Sequence, residues 1–446
     1  MIVKSLFGLR GLFGRKALIF VSLIFMVTLV SSCCVSMFAE VSPFVFGASD
    51  KIVSSEIELK NVVNNSAEPI VIVLDKDITL TETLVIPINK DITLTSNNNF
   101  GKFFKLTGAN GQATIAVNDG GVLVLAGIIV THRSGSTGRG VTINSGGKLT
   151  MSTGIIAGNN MPNESLGDTT REDGGGVYTS GDFSMSGGKI SDNTAAHGGG
   201  VHVDYCGSFR LSGGEIINNK AHYTGAGVQV ALHTRLDSSG YFSMSGYFSM
   251  TGGVISHNTA QVYGGGVANW GTFDMSGGLI ANNAGPQGGG VHVMHGSFSM
   301  SNGMIANNTA SEGGGVYQFF ECNFSMSGGE ISNNKATDGG GVYIYSDFVM
   351  SGGELSGNKA SNSGGGVYVG NGVFSLMGGK LSDNTARFGN NVYPTDGADV
   401  YPDNGNEWLY SDVYSLGVVV GICVGVVAVG VVLFISKRCV GKLEEK

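Results

Sequence analysis

The feature of this chain that most restricts its fold is a sequence repeat. Each copy reads Phe-Ser-Met-Ser-Gly-Gly-x-Ile-Ser-x-Asn-x-Ala, then a glycine triplet and Val-Tyr, and the copies occupy residues 140–393. The valines after the triplets are 24, 27, 39, 24, 25, 26, 25 and 25 residues apart. Such a period is typical of solenoids, in which each copy packs only on its neighbours. These valines are Val177, Val201, Val228, Val267, Val291, Val316, Val342, Val367 and Val392.

The pattern within one copy predicts β-strands rather than helices. Phe and Met two positions apart, as in Phe183 and Met185, face the same side of an extended strand. The segments are also too short and too rich in glycine for helices. We therefore predict an all-β parallel β-helix of about 12 turns, with inward ladders of phenylalanine and of methionine or leucine.

One asparagine recurs in each copy, three residues after the isoleucine or leucine. A catalytic or metal site would need carboxylates or histidines that converge on one turn. Asparagine instead tolerates a left-handed corner, and stacked amides can bond from turn to turn. We predict a structural ladder at this position. Its members are Asn159, Asn193, Asn219, Asn258, Asn283, Asn308, Asn334, Asn358 and Asn384.

The residues that follow the ladder valines form a second series, which we call the outer row. Because the valine faces inward, its neighbour should face out of the coil. Stacked rings there could hold a glycan or a partner strand, whereas the alternative is the ordinary preference of aromatic residues for exposed strands. Gln229 and Ala268 occupy this position in two copies. The predicted ligand-facing residues are Tyr178, His202, His292, Tyr317, Tyr343, Tyr368 and Tyr393.

The period fails at two places, which are the other candidates for function. About ten extra residues lie between Asn159 and Gly174, and about fourteen lie between Val228 and Val267. Inserted loops in solenoids often form the binding face, although a tolerated insertion is the alternative. The first insertion contains Asn163, Glu164, Asp168, Arg171, Glu172 and Asp173, and the second contains a duplicated segment, Tyr241–Gly246 and Tyr247–Gly252.

Both ends of the chain indicate a membrane. Residues 1–39 combine basic residues with an apolar run, which is typical of a secretory signal, although an uncleaved anchor or lipidation at Cys33 also fits. Residues 413–436 carry no charge and exceed the ~20 residues that a membrane-spanning helix needs. Lys437 and Arg438 follow at once, which predicts a cytoplasmic tail and a single-pass type I protein.

These observations divide the chain into six predicted segments. Within the membrane segment, Gly417, Gly421 and Gly425 lie on one helix face, a spacing that favours a homodimer, although glycine is common throughout this span. The segments are a signal peptide or anchor (1–39), an N-terminal cap with irregular turns (40–139), the repetitive β-helix (140–393), a stalk (394–412), a transmembrane helix (413–436) and a cytoplasmic tail (437–446).

Composition argues against several kinds of function. The formal net charge of −8 gives no electrostatic basis for binding nucleic acid. Acidic residues precede the glycine triplets in only some copies, as at Asp173, Glu312 and Asp338, and the histidines share no turn with a convincing acid pair. We therefore expect no catalytic site, no metal site and no cofactor, and the partners expected are the lipid bilayer and either carbohydrate or another surface protein.

The repeat residues also carry a family resemblance. Ile190–Ala195, followed by Gly198–Val201, resembles the FxxN and GGA[ILV] repeats of the chlamydial polymorphic outer-membrane proteins. More broadly, residues 90–393 resemble right-handed parallel β-helix surface proteins of the pectin-lyase-like superfamily. The resemblance implies a right-handed coil and a non-catalytic adhesin-like or surface-coat protein. Polysaccharide lyases and glycoside hydrolases share that fold and are the alternative.

Two departures limit what the resemblance implies. Isoleucine or leucine replaces the phenylalanine of FxxN, and an apolar helical segment stands where the family has a C-terminal autotransporter barrel. Secretion by the autotransporter route is therefore not implied.

Overall fold

The computed structural model describes residues 50–401, except 66, 68, 98–101, 162–172 and 238–239. The predicted signal or anchor, the transmembrane helix with Gly417, Gly421 and Gly425, and the cytoplasmic tail lie outside the described residues. Within those that are described, the structure contains no helix long and apolar enough to cross a membrane.

The chain is a parallel β-solenoid of about 12 turns, as the repeat predicts. One face is a sheet of 12 parallel strands, one from each turn, which we call the valine sheet. Its register places like over like, with Val177 beside Val201 and Val201 beside Val228. Its strands are Leu84–Ile86, Ile115–Val117, Val141–Ile143, Val177–Thr179, Val201–Val203, Val228–Val230, Val267–Asn269, Val291–Val293, Val316–Gln318, Val342–Ile344, Val367–Val369 and Val392–Pro394.

The Phe-x-Met and Ile-Ser segments belong to a second sheet of 20 strands. Glycines with positive φ bend the chain between the two segments, as at Gly214. A Cβ on Gly214 would lie 2.8 Å from the backbone of Gly187 and of Gly188 in the preceding turn, and φ is +89°, so the bend needs glycine. The strands are Lys51–Val53, Ile70–Leu74, Ile78–Thr79, Asp91–Ser96, Lys105–Thr107, Val122–Thr131, Lys148–Ala157, Asp182–Met185, Lys189–Ser191, Ser208–Leu211, Glu215–Ile217, Tyr247–Met250, Val254–Ser256, Thr272–Ala281, Ser297–Ala306, Asn323–Met326, Glu330–Ser332, Phe348–Ser356, Val373–Ser382 and Asp399–Tyr401.

Shorter strands complete some turns before the glycine triplets. They form two small parallel sheets, Thr194–His197 with Lys220–Thr224 and Thr259–Ala260, and Lys335–Asp338 with Lys359–Ser363. The second insertion forms an antiparallel hairpin, Leu232–Asp237 with Gly240–Ser245. The first of the two duplicated segments therefore leaves the coil, and the second, Tyr247–Met250, continues it.

The inside of the coil is filled by ladders of identical or similar residues. The eight phenylalanine rings are buried and stack with centroids 4.3–5.1 Å apart. Burying each ring stabilises the fold by roughly 2 kcal/mol, so the stack contributes strongly to the stability of the core. The rings are Phe183, Phe209, Phe248, Phe273, Phe298, Phe324, Phe348 and Phe374.

The ladder asparagines are buried and bond from turn to turn. The Asn258 amide nitrogen donates to Asn283 Oδ1 at 3.0 Å and to the Ile216 carbonyl at 2.9 Å. The first member, Asn159, contacts the ring of His132 at 2.8 Å, and the last, Asn384, donates to Asn391 at 3.0 Å. Residues of the chain thus cap both ends of the ladder.

The backbone conformation at this corner differs from the expectation. The left-handed residue is the one before the ladder asparagine, such as Asp192 with φ 58° or His257 with φ 57°. The ladder asparagine itself has no positive φ, because its backbone N–H and side chain must both reach the next asparagine, as Asn193 reaches Asn219 Oδ1.

A helix lies in the segment predicted as the N-terminal cap. The helix Glu56–Asn65 follows Ser55, whose hydroxyl accepts the Glu58 N–H at 3.3 Å, a typical helix N-cap. Leu59 and Val63 on one face are buried in the same core as the first turns. The helix therefore shields apolar residues of the first turns, beside the strand Lys51–Val53.

Candidate functional site

The outer row lies on the outer side of the valine sheet, but much of it is buried. His202, His292, Tyr317 and Tyr343 are only 4%, 1%, 1% and 4% exposed, so the expectation of an exposed series is wrong for these residues. Side chains from the corners next to the valine strands cover these residues. Tyr178, Tyr368 and Tyr393 stay partly exposed.

Rings from adjacent corners supply this cover. The Tyr263 ring stacks on His292 with centroids 4.6 Å apart, and the Tyr345 ring lies 5.1 Å from Tyr343. Within the row, rings stack continuously from His292 to Tyr393 at 4.4–5.5 Å. Tyr178 and His202 form a separate stacked pair at 5.3 Å.

Two consecutive turns interrupt this row. Gln229 and Ala268 are paired neighbours in the valine sheet, and both are buried without contributing a ring. The Gln229 amide is held down, since its Oε1 accepts the Thr224 hydroxyl at 2.6 Å and its Nε2 donates to the Val230 carbonyl at 3.1 Å. At the Ala268 turn, the Tyr263 ring stacks on His292 instead, so the open space lies at the Gln229 turn.

A cavity of about 180 Å³ opens beside this interruption, and we call it the site cavity. Its walls come from strands of the valine sheet, from the corners on either side and from the start of the hairpin. The lining residues are Asp173, His197, His202, Asp204, Tyr205, Gln229, Ala231, Leu232 and Trp270.

The site cavity brings together the three regions that the sequence singles out separately. Asp173 ends the first insertion, Leu232 begins the hairpin of the second, and His202 belongs to the outer row. They meet because Tyr178, His202 and Gln229 are consecutive in the valine sheet, where neighbouring strands are ~4.8 Å apart. Asn163, Glu164, Asp168, Arg171 and Glu172 lie outside the described residues.

Polar atoms in this cavity lack hydrogen-bond partners. Both ring nitrogens of His202 and Nε1 of Trp270 are buried without a partner. His202 Nε2 lies 3.7 Å from the Asp173 carboxylate, which is too long for a hydrogen bond. Buried polar groups without partners are rare and costly, and His292 Nδ1 and Gln318 Oε1, which do not line this cavity, are in the same state.

Burial keeps the imidazoles in this cavity uncharged near neutral pH. Desolvation lowers the pKa of His202 below its ordinary value, although Asp173 and Asp204 act in the opposite direction. Desolvation also lowers the pKa of His197, against the effect of Asp173. A neutral imidazole has one N–H donor and one acceptor nitrogen, so His202 can serve a hydroxyl group in both ways.

Charged neighbours hold the wall of the cavity in place. Arg139 Nε donates to the Asp173 carbonyl at 2.6 Å, and its guanidinium carbon lies 4.7 Å from the Tyr178 ring centroid. The Tyr178 hydroxyl in turn donates to the Asp204 carboxylate. Arg139 thus links the Asp173 backbone to the Tyr178 ring, and Tyr178 links that wall to Asp204.

This cluster changes the expectation that acidic residues are scattered. Asp173 and Asp204 line the same cavity as His197 and His202, whereas His292 lies elsewhere in the row. Asp204, Tyr205 and Trp270 were not predicted as site residues, and they follow valine strands at the corners. Their signal in the sequence was the loss of an outer-row ring at Gln229 and Ala268.

Two further observations concern metal binding and comparison with known proteins. Across the described ranges, no group of three or more His, Cys, Asp and Glu side chains is placed to hold a metal ion. In comparisons with known proteins, no family model, no curated protein and no solved structure matches this chain. The case for the site therefore rests on the geometry of the chain.

Proposed function

We propose that this chain is a non-catalytic, membrane-anchored surface protein, an adhesin or coat component, whose right-handed β-helix binds carbohydrate in the site cavity. The observation that supports binding is the group of buried, unpartnered nitrogens of His202 and Trp270. The predicted signal segment and the apolar segment 413–436 support a single-pass type I topology, and Gly417, Gly421 and Gly425 support pairing of that helix.

Carbohydrate fits the chemistry of the site cavity better than other ligand classes. A sugar offers hydroxyls that donate and accept hydrogen bonds, together with an apolar ring face. Asp173 and Asp204 accept hydrogen bonds, Trp270 donates one, and His202 does both. The rings of Tyr205 and Trp270 supply the apolar contact that sugar faces require.

The test uses the purified full-length chain on a glycan array, with intact cells displaying it as a second format. We expect binding to a restricted set of glycans, and loss of that binding in Asp173→Asn. Tyr393→Phe, far along the outer row, is the control and should bind like the parent. A folded chain that binds no glycan would refute this function.

Topology has its own experiment. Protease added to intact cells should remove the repeats and leave the tail that follows Arg438 protected. Loss of the tail with protected repeats would reverse the proposed orientation.

A glycoside hydrolase is the second candidate, favoured by one observation. Asp173 and Asp204 line one cavity with His202, and glycoside hydrolysis ordinarily needs a pair of carboxyl groups. Incubating the chain with the glycans that it binds, and measuring their cleavage, distinguishes the hydrolase from the non-catalytic binding protein. Turnover that Asp173→Asn or Asp204→Asn abolishes would establish the enzyme, and binding without turnover supports the non-catalytic protein.

A further inference from the structure

We infer that the site cavity accepts one sugar ring, the terminal residue of a glycan, which occupies the interruption of the outer row and does not extend along the rod as a polysaccharide. This inference rests on the proposed function. It follows from the size of the cavity, its position in the row and its closed ends.

Size limits the ligand to one ring. The cavity measures about 180 Å³, whereas pockets for larger ligands measure about 300–1,000 Å³. Among the nine outer-row positions from Tyr178 to Tyr393, rings are missing only at Gln229 and Ala268, and the Tyr263 ring already stacks on His292 at the Ala268 turn. One ring position therefore remains within this part of the row.

The position of the cavity in the outer row predicts the orientation of the bound sugar ring. Tyr178 stacks on one face of His202 with an interplanar angle of 7°, and the next strand contributes Gln229 instead of a ring. A sugar ring over the other face of His202 would take the place that tyrosine has in other turns. The row would then continue at the ordinary spacing of ~4.8 Å per turn.

Neighbouring rings close the row on either side. Tyr178 occupies the position before His202, and Tyr263 stacks on His292 beyond the interruption. At the side, the Tyr205 and His233 rings approach to 4.9 Å where the hairpin begins. Further sugar residues of a linear chain have no equivalent positions along this row and must leave towards solvent.

Polar groups at the edge of the ring position supply selectivity. Asp173, Asp204, His202 and Trp270 line the cavity, and the ring nitrogens of His202 and Nε1 of Trp270 have no partner within the chain. A site built to hydrogen-bond hydroxyls strongly rejects analogues that lack them, because its own buried groups then stay unpaired. The terminal residue should therefore be recognised by the arrangement of its hydroxyls.

The decisive variant is Gln229→Tyr in the full-length chain, which puts the consensus ring into the interruption. We expect at least a tenfold loss of glycan binding, since the new ring occupies the sugar position. The matched control is Tyr368→Gln, which makes a similar interruption elsewhere and should leave binding unchanged. Unchanged binding by a folded Gln229→Tyr variant would overturn the location.

A second, more conservative variant tests the site in case Gln229→Tyr does not fold. Trp270→Phe keeps an aromatic ring and removes the unpartnered N–H, and we expect roughly tenfold weaker binding. Circular dichroism should match the parent, because Phe retains the packing surface. Affinity equal to the parent would remove Trp270 from the inferred contacts.

Competition by methyl glycosides of single sugars tests the one-ring statement. The methyl glycoside of the terminal residue should displace the bound glycan at a concentration within about tenfold of the glycan itself. Glycan binding that no single sugar competes, and that strengthens with chain length, would overturn one-ring recognition and leave the proposed function standing. Absence of all glycan binding would instead refute the proposed function.

Discussion

The phenylalanine stack inside the coil and the outer row on the valine sheet share one register but differ in regularity. Inside, eight rings from Phe183 to Phe374 follow one another without interruption. Outside, Gln229 and Ala268 interrupt the row of tyrosine and histidine once, and the cavity lies beside Gln229. The interior contains only other side chains, so a missing ring leaves an unfilled hole. Outside, corner residues or a ligand can take its place, and variation is tolerated.

The largest effect should come from removing an inner ring. Phe298→Ala deletes a buried ring between Phe273 and Phe324 and should destabilise the coil by about 4 kcal/mol. Equilibrium urea denaturation followed by circular dichroism measures it. Phe298→Leu is the control and should cost clearly less, because it leaves a smaller cavity. A loss below about 1 kcal/mol would show that the interior repacks.

The second largest loss of stability should come from breaking the asparagine ladder. Asn283 accepts from the backbone and side chain of Asn258 at 2.9 and 3.0 Å and donates to Ile255 and Asn308 at 2.9 and 3.1 Å. Asn283→Ala leaves these buried groups unpaired and should cost about 3 kcal/mol in the same assay. The exposed Asn302 offers a matched Asn302→Ala control, expected within about 0.5 kcal/mol of the parent. Equal effects at both positions would contradict the structural role of the ladder.

The buried histidine of the outer row, His292, should make the folded chain less stable as the pH falls. Burial lowers the pKa of His292 to about 3, from an ordinary value of 6.5. Between these two pH values the unfolded chain binds a proton that the folded chain does not, so stability falls as pH falls. The slope contributed by this one residue is about 1.4 kcal/mol per pH unit.

His292→Tyr isolates this contribution, since tyrosine already fills the position in other turns. Urea denaturation at pH 7, 6, 5 and 4 should show a smaller loss of stability in the variant than in the parent. Parallel curves for the two proteins would mean that His292 is protonated in the folded chain.

The smallest effect is expected where the outer row is partly exposed. Tyr368→Ala removes a ring that stacks on Tyr343 at 4.4 Å and Tyr393 at 5.5 Å, and should cost roughly 1 kcal/mol. Tyr368→Phe, the control, retains the stack and should behave like the parent. A loss of stability as large as that of Phe298→Ala would contradict the view that outer-row rings contribute less to stability than the inner phenylalanine rings.

Most of the fold was predictable because equivalent residues in successive repeats must pair with one another, so the repeat itself indicates the contacts between distant parts of the chain. Once Phe183 and Phe209 are recognised as equivalent, parallel stacking follows, and the structure has the same pairing. The helix Glu56–Asn65 escaped prediction because it lies outside the repeats. The left-handed corner was placed one residue late, since periodicity marks the ladder asparagine but not the φ of its neighbour.

The candidate site was predictable only in pieces. The two insertions and the outer row were recognised as separate regions, and no pattern showed that Asp173, His202 and Trp270 share a cavity. Sequence periodicity gives the turn on which a residue lies. It does not say how corners fold over the outer face, so the burial of Tyr317 and Tyr343 was missed.

The sequence by itself determined the period, the parallel register and the residues of the inner ladders, because identical side chains in a closed coil have one way to stack. The tertiary structure alone decided which outer residues are covered and where polar groups remain unpartnered. Those outcomes depend on the corners and on the hairpin that begins at Leu232, where the His233 ring lies 4.9 Å from Tyr205 of another turn. The cavity arises where the repeat loses a ring and adjacent turns do not replace it.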